Sequence, residues 1–133
     1  MSKQNVELHQ RSIDAVNDRD LNAFLALMDD DVEAVSRIVA VEGGLHGHEG
    51  IRRWRDDWLG AFPDYEIEVD EIQDLGDVTI ASMRAVGHGA GSNVPLEDNI
   101  WLATRWRRGR CIWWRVLYSW DEALEAAGVS ERP

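Results

Sequence analysis

The sequence predicts an α+β fold: three helices in the N-terminal half packed on a strongly bent, mainly antiparallel sheet, followed by a short C-terminal helix. Three observations carry this expectation. Apolar residues recur at the helical period over residues 6–16 and 48–62. They alternate at period two over residues 65–72 and again through a final ribbon, residues 99–120, that is rich in tryptophan. Glycine-rich and polar breaks separate these stretches at the spacing of one helix or one strand. A curved sheet wrapped around helices leaves a hollow, so the pattern also predicts an internal cavity.

Helix one places Val6, Leu8, His9, Ser12, Ile13, Ala15 and Val16 on one arc, with two polar insertions, His9 and Ser12, one turn apart. Residues 17–20 form a polar break. A second short helix carries Leu21, Ala23, Phe24, Leu27 and Met28 and is expected to stop at the acid run Asp29, Asp30 and Asp31. Residues 32–41 are β-branched enough for a strand, with Ala34 and Ser36 on one side and Val35 and Arg37 on the other. A glycine-framed turn leads to helix three over residues 48–61. There Ile51, Trp54, Trp58 and Phe62 form the apolar stripe, Arg55 sits at its margin, and Pro63 closes the helix. In the strand from Tyr65, the apolar spacing slips by one after Val69, which predicts a β-bulge near Asp70–Glu71. Residues 75–77 turn the chain into a strand over 78–88, and residues 89–96 read as a flexible loop.

The last hairpin suits a three-residue connection, Arg107-Arg108-Gly109, with Gly109 left-handed. That register sets Leu102 opposite Trp114, Ile100 opposite Val116 and Thr104 opposite Ile112 on one face. On the other, Trp101 meets Arg115 and Ala103 meets Trp113. Both faces are apolar, so both need cover. Three helices cover one of them, and nothing further in the chain is expected to cover the face of Trp101, Trp113 and Leu117. A homodimer through that face, with Arg115 over Trp101, is the economical expectation. The alternative is that the helices cover this face and the opposite one lies outside. Ser119 and Glu122 then read as a capping box for the terminal helix, with Gly128 just past its end.

At 133 residues the chain is expected to form one domain, residues 1–133, long enough for a sizeable core. A formal net charge of −11 argues against nucleic-acid and anionic-membrane partners. The single cysteine, Cys111, excludes an internal disulfide and a thiolate metal cluster. No basic-then-apolar leader pattern and no membrane-length apolar run is visible, so a cytoplasmic location is expected. There are seven tryptophans, five of them after residue 100, which makes aromatic packing the dominant chemical feature.

The candidate chemical groups are few. His9 with Ser12 is either a general base or a hydrogen-bonded core histidine. His46 and His48 flank Gly47 without a matching third ligand, so no metal is expected. Arg84 and His88 share the outer face, where bridging across a dimer seam is favoured over catalysis; a one-residue shift would turn both inward. Arg55 is either an anchor for a carboxylate-bearing ligand or a snorkelling stem whose head reaches Asp56. Trp54, Trp58, Trp114 and Tyr118 are core residues that also stand where they would wall a pocket. No phosphate-cradling glycine loop is present, so no nucleotide or flavin cofactor is expected.

The order of elements resembles the nuclear transport factor 2-like superfamily, and within it the SnoaL-like, polyketide-cyclase-like bacterial branch. The resemblance runs from about residue 5 to residue 128. It is carried by Asn17-Asp-Arg-Asp-Leu21, Asp30-Asp-Val-Glu33, Gly47-His-Glu-Gly-Ile-Arg52, Phe62-Pro-Asp64 and Glu122-Ala-Leu-Glu-Ala-Ala-Gly128. It implies a cone of helices on a bent sheet, commonly dimeric, a fold that hosts isomerases, cyclases, epoxide hydrolases and binding modules. Ketosteroid-isomerase-like members use a helix-one tyrosine, a first-strand carboxylate and a later-strand acid; Ser12, Ser36 and Leu102 align there and cannot do that work. The nearest candidates for a cyclase-type strand aspartate, Asp98 and Glu97, are expected at the loop end rather than in the hollow. An epoxide-hydrolase relay would need carboxylates in phase with Arg84, and none is in place. The expected function is therefore binding of a small hydrophobic metabolite in an aromatic-lined pocket. The alternatives are a cofactor-free isomerase, cyclase or hydrolase, or an interaction scaffold with a filled pocket.

Overall fold

The computed structural model describes residues 2–35 and 45–128. Helix α1 (Ser2–Asn17) buries Leu8, His9, Ser12, Ile13 and Ala15, the arc its periodicity marks out. Helix α2 (Leu21–Ala26) starts on Asp20, whose Oδ1 accepts the Ala23 N–H at 3.0 Å. It ends earlier than expected. Met28 already opens strand β1 (Met28–Val35), and Asp29–Asp31 lie inside that strand instead of stopping a helix. The reason is tertiary. β1 pairs in parallel with β6 (Arg110–Leu117), and the Leu27 carbonyl accepts the Cys111 N–H at 2.7 Å. Ser36 and the rest of that expected strand lie outside the described residues.

Strand β2 (Leu45–His46) pairs antiparallel with β1 and feeds helix α3 (Gly47–Ala61). Three long strands follow: β3 (Glu66–Asp74), β4 (Val78–His88) and β5 (Pro95–Arg107). The curved sheet runs β2-β1-β6-β5-β4-β3, antiparallel except for β1 against β6. The expected bulge is present: Val69 faces Met83 and Glu71 faces Ser82, leaving Asp70 as the extra residue. Strand β3 ends the sheet, and Asn17 shields it by donating to the Ile67 carbonyl at 2.9 Å and accepting the Ile67 N–H at 2.8 Å.

The last hairpin keeps the expected faces but not the expected partners. Its turn has two residues, Arg108 and Gly109, both with positive φ (54° and 78°), and Arg107 faces Arg110. A register shift beyond Trp106 makes Ile112 an extra residue on β6. The two single slips add, so Leu102 faces Val116, Thr104 faces Trp114 and Trp101 faces Leu117. Because a two-residue shift restores the side-chain phase, Leu102 and Trp114 still share one face of the sheet.

The expectation that nothing covers the opposite face is corrected by helix α4 (Trp120–Ala126). Ser119 Oγ accepts the Glu122 N–H at 3.1 Å, and Glu122 Oε1 accepts the Tyr118 N–H at 2.9 Å, so the capping box reaches one residue further back than the usual motif. Gly128 follows with φ 82°. Ala123, Leu124 and Ala127 pack on Val78, Ile80 and Ala103, while Trp101, Trp113 and Leu117 are half-buried at the margin. The Arg115 guanidinium lies 4.8 Å from the ring of Trp113, not over Trp101, as the shifted register requires.

Candidate functional site

Between α1, α3 and the inner face of the sheet lies a hollow of about 90 Å³. Side-chain phase explains its walls. Even-numbered residues of β5, namely Asp98, Ile100, Leu102 and Thr104, face inward together with Trp114, Val116 and Tyr118 after β6 has absorbed its bulge. From β4 come Met83 and Ala85, and from the helices Ser12, Ile13, Phe24, Trp54 and Trp58. The aromatic rings brace one another. Phe24 stacks on Trp54 at 5.6 Å between centroids, and Trp54 meets Trp114 edge-on at 5.1 Å. Trp58 contacts Tyr65 at 4.7 Å and Phe62 at 5.4 Å.

The polar atoms on this wall are few. Ser12 Oγ donates to the His9 carbonyl at 2.6 Å, one turn back in its own helix. The indole N–H of Trp114 is buried and has no hydrogen-bond partner among the described residues. Asp98 is exposed and therefore marks the open end. It is the one charged side chain among the described lining residues. The sequence reading put Asp98 at the loop end rather than in the hollow because the final ribbon was expected to begin only at residue 99; the strand begins at Pro95, and Asp98 shares the parity of Ile100 and Leu102. That parity was the available signal. Its neighbour Glu97 points the other way, to Arg84.

His9 does not line the hollow. It is fully buried against the same sheet face one turn before Ser12, with Nδ1 2.7 Å from Thr79 Oγ1, which also accepts the Trp106 indole N–H at 2.9 Å. Burial pushes its pKa down to about 3, so it is neutral, and its Nε2 has no partner among the described residues. This is a core histidine rather than a base poised at the cavity. Arg55 also misses the hollow. It borders a nook of about 10 Å³ behind Trp54, with Arg19 and Tyr65, and its NH1 reaches Asp56 at 3.4 Å. Burial raises the Tyr65 pKa; Arg19, Arg55 and the Trp58 indole oppose that only in part.

On the outer face Arg84 is satisfied within its own sheet, 2.6 Å from Glu68 and 2.8 Å from Glu97. His88 pairs with Asp64 at 2.8 Å, and that hydrogen bond lowers the Asp64 pKa. His48 bonds to the Met28 carbonyl at 3.0 Å, whereas His46 is exposed at the start of α3. Cys111 is buried, and desolvation pushes its thiol pKa up, which disfavours the thiolate form. Among the described residues no three His, Cys, Asp or Glu side chains are grouped to hold a metal ion. Nor is any helix among them long and apolar enough to cross a membrane.

Solved structures with this architecture are numerous. An NTF2-like protein of unknown function from Burkholderia pseudomallei K96243 superposes with a TM-score of 0.78 at 17% identity, covering 92% of this chain and 95% of that one. A putative SnoaL-like polyketide cyclase from Jannaschia sp. CCS1 gives 0.76 at 18% identity, covering 99% and 95%. A Mycobacterium tuberculosis protein, RV0760c, in complex with estradiol-17beta-hemisuccinate, gives 0.76 at 20% identity, covering 89% and 95%. At these identities the likeness establishes the nuclear transport factor 2-like fold. No curated protein matches the sequence. The SnoaL-like domain family does match it, over residues 9–117, from the buried histidine of α1 to the end of β6, and the chain belongs to that family.

Proposed function

We propose that this protein binds a small hydrophobic metabolite in the hollow between α1, α3 and the sheet. The observation that carries the reading is a cavity of about 90 Å³ walled by Phe24, Trp54, Trp58, Leu102, Trp114 and Tyr118, apolar throughout apart from a rim carboxylate and a few hydroxyl and indole groups. The volume is below the roughly 150 Å³ of an engineered apolar cavity that takes up benzene. A one-ring ligand that extends toward the open end is therefore the fitting size. The steroid conjugate held by the mycobacterial neighbour supports a binding role for this shape of site without defining the ligand here. The test is intrinsic tryptophan fluorescence, since Trp54, Trp58 and Trp114 all touch the cavity. Titration with one-ring hydrophobic compounds is expected to quench or shift emission; silence with every compound would overturn the reading.

A second reading, cofactor-free catalysis of the isomerase, cyclase or hydrolase type, is favoured by one observation: Asp98 lines the cavity. A carboxylate at the mouth of an apolar site can take a proton from a bound carbon acid. Solvent deuterium entering the α-position of a bound ketone, lost in Asp98→Asn, would support it. Equal exchange in both proteins would remove it.

We also propose that residues 1–133 form one SnoaL-like domain, that the protein acts in the cytoplasm, where a free thiol such as Cys111 is ordinary, and that it pairs as a homodimer. The support for pairing is the half-buried apolar margin of Trp101, Trp113, Leu117 and Trp120, which α4 leaves incompletely covered. Sedimentation at micromolar concentration is expected to give a dimer that Trp113→Glu dissociates with helix content retained. A lone 15.1 kDa species would refute it.

A further inference from the structure

Strand β5 carries two adjacent carboxylates in opposite circumstances. Glu97 points to the outer face and is held by Arg84 at 2.8 Å. Asp98 lines the hollow, and its side chain has no hydrogen-bond or ion-pair partner among the described residues. Its surroundings explain the difference. Across the sheet Asp98 faces Ala85, and beyond Ala85 stands Ile67, and neither side chain has a hydrogen to donate. On its other side the pairing of β5 with β6 stops at Trp101, so the carboxylate is left exposed at the open end. Inward along the same lane of β5 come Ile100 and Leu102, and α3 adds Trp54 and Trp58. The described lining residues include no Lys, Arg or His. The hollow therefore has a hydrocarbon interior and a single fixed charge, negative and uncompensated, at its mouth.

We propose that the hollow takes a cationic amphiphile, an ammonium group joined by a short spacer to one apolar ring, with the ring inside and the ammonium paired with Asp98. The proposal rests on the binding reading above and adds the charge of the ligand. Two residues along a strand span about 7 Å, so a ring lodged beside Ile100 reaches Asp98 through a spacer of about two carbons.

Charge orders the ligand classes. A carboxylate on the same spacer would end against a like charge, in a chain of net charge −11. A neutral ring compound fills the hollow and leaves Asp98 to water, with neither gain nor loss. An ammonium meets its counter-charge at the rim, where it keeps part of its hydration, so the desolvation that makes buried ion pairs costly is small. The net negative charge of the chain also raises the local concentration of cations.

The test compares 2-cyclohexylethylamine, its neutral counterpart 2-cyclohexylethanol and 3-cyclohexylpropanoate by calorimetric titration at neutral pH. The proteins are the wild type, Asp98→Asn and Glu97→Gln, the last removing an equal charge from the outer face. The wild-type protein is expected to bind the amine about fivefold tighter than the alcohol, the upper end for a solvent-exposed ion pair, and the propanoate more weakly than either. Asp98→Asn is expected to bring amine and alcohol level and leave alcohol affinity unchanged, which also shows that the variant is folded. Glu97→Gln is expected to keep the preference for the amine. Equal binding of amine and alcohol by the wild-type protein overturns the proposal while the binding reading stands. Loss of the preference in Glu97→Gln as large as in Asp98→Asn assigns the attraction to overall charge and overturns the role of Asp98. Failure of all three compounds to bind the wild-type protein overturns both this proposal and the reading it rests on.

Discussion

On the inner face of β4, Ala81, Met83 and Ala85 are short or flexible, and the helices opposite them stand far enough away to leave the hollow. On its outer face Val78 and Ile80 are sealed under α4, and two residues beyond Ser82 the same face passes to the exposed ion pairs of Arg84. Both faces arise from one alternating sequence. What separates them is the cover available. On the inner side α1 packs along β3 and β4 while α3, seated on β1 and β2, reaches across with the bulky Trp54 and Trp58, whereas seven residues carrying Ala123 and Leu124 sit flush on the outer one. Large aromatic covers on a floor of small residues make cavities, and small covers on β-branched residues make sealed core.

The comparison can be broken most directly by truncation on each side. Ile80→Ala removes a side chain of 0% exposure from the sealed layer and is expected to cost about 3 kcal/mol. Ile100→Ala on the cavity wall is expected to cost less, about 2 kcal/mol, because the space it opens merges with a hollow already present. Urea denaturation of both variants checks the order; a larger cost for Ile100→Ala would mean that the hollow is filled in solution.

Next in size is the acid response of His9. Its folded pKa is depressed to about 3, so the unfolded chain takes up the proton first as pH falls below 6.5. Stability from this group is therefore complete above 6.5 and is lost progressively toward pH 3, at about 1.4 kcal/mol per pH unit. Between pH 6.5 and 5, where carboxylates are still ionised, the loss is expected to be about 2 kcal/mol and to vanish in His9→Gln. A wild-type protein with level stability across that interval would show that the His9–Thr79 layer opens to water. The smallest effect belongs to the outer face. Arg84→Ala breaks two exposed ion pairs and is expected to leave the denaturation midpoint within experimental error, as solvent-screened pairs do.

Much of this fold was legible locally. The bulge at Asp70 follows from a three-residue gap between Val69 and Ile72, and the α4 cap follows from Ser119 and Glu122. The inward phase of Leu102 and Trp114 follows from strand alternation. The misreadings share a cause. Arg108 as a left-handed turn residue, Ile112 as an inserted residue and Met28 as the start of a strand are each settled by a neighbouring chain, not by the residues themselves. Asp98 was missed for the same reason, since β5 extends back to Pro95 only because β4 reaches His88 beside it.

By itself, then, the sequence determined which side chains share a face, because helical and strand periods are properties of a single chain. The tertiary structure decided which partners meet across each strand pair and what covers each face. It also decided which polar groups are left without an acceptor: the Trp106 indole found Thr79, while that of Trp114 has none among the described residues. Those outcomes depend on register and on distance between elements, and neither is written in the spacing of any one of them.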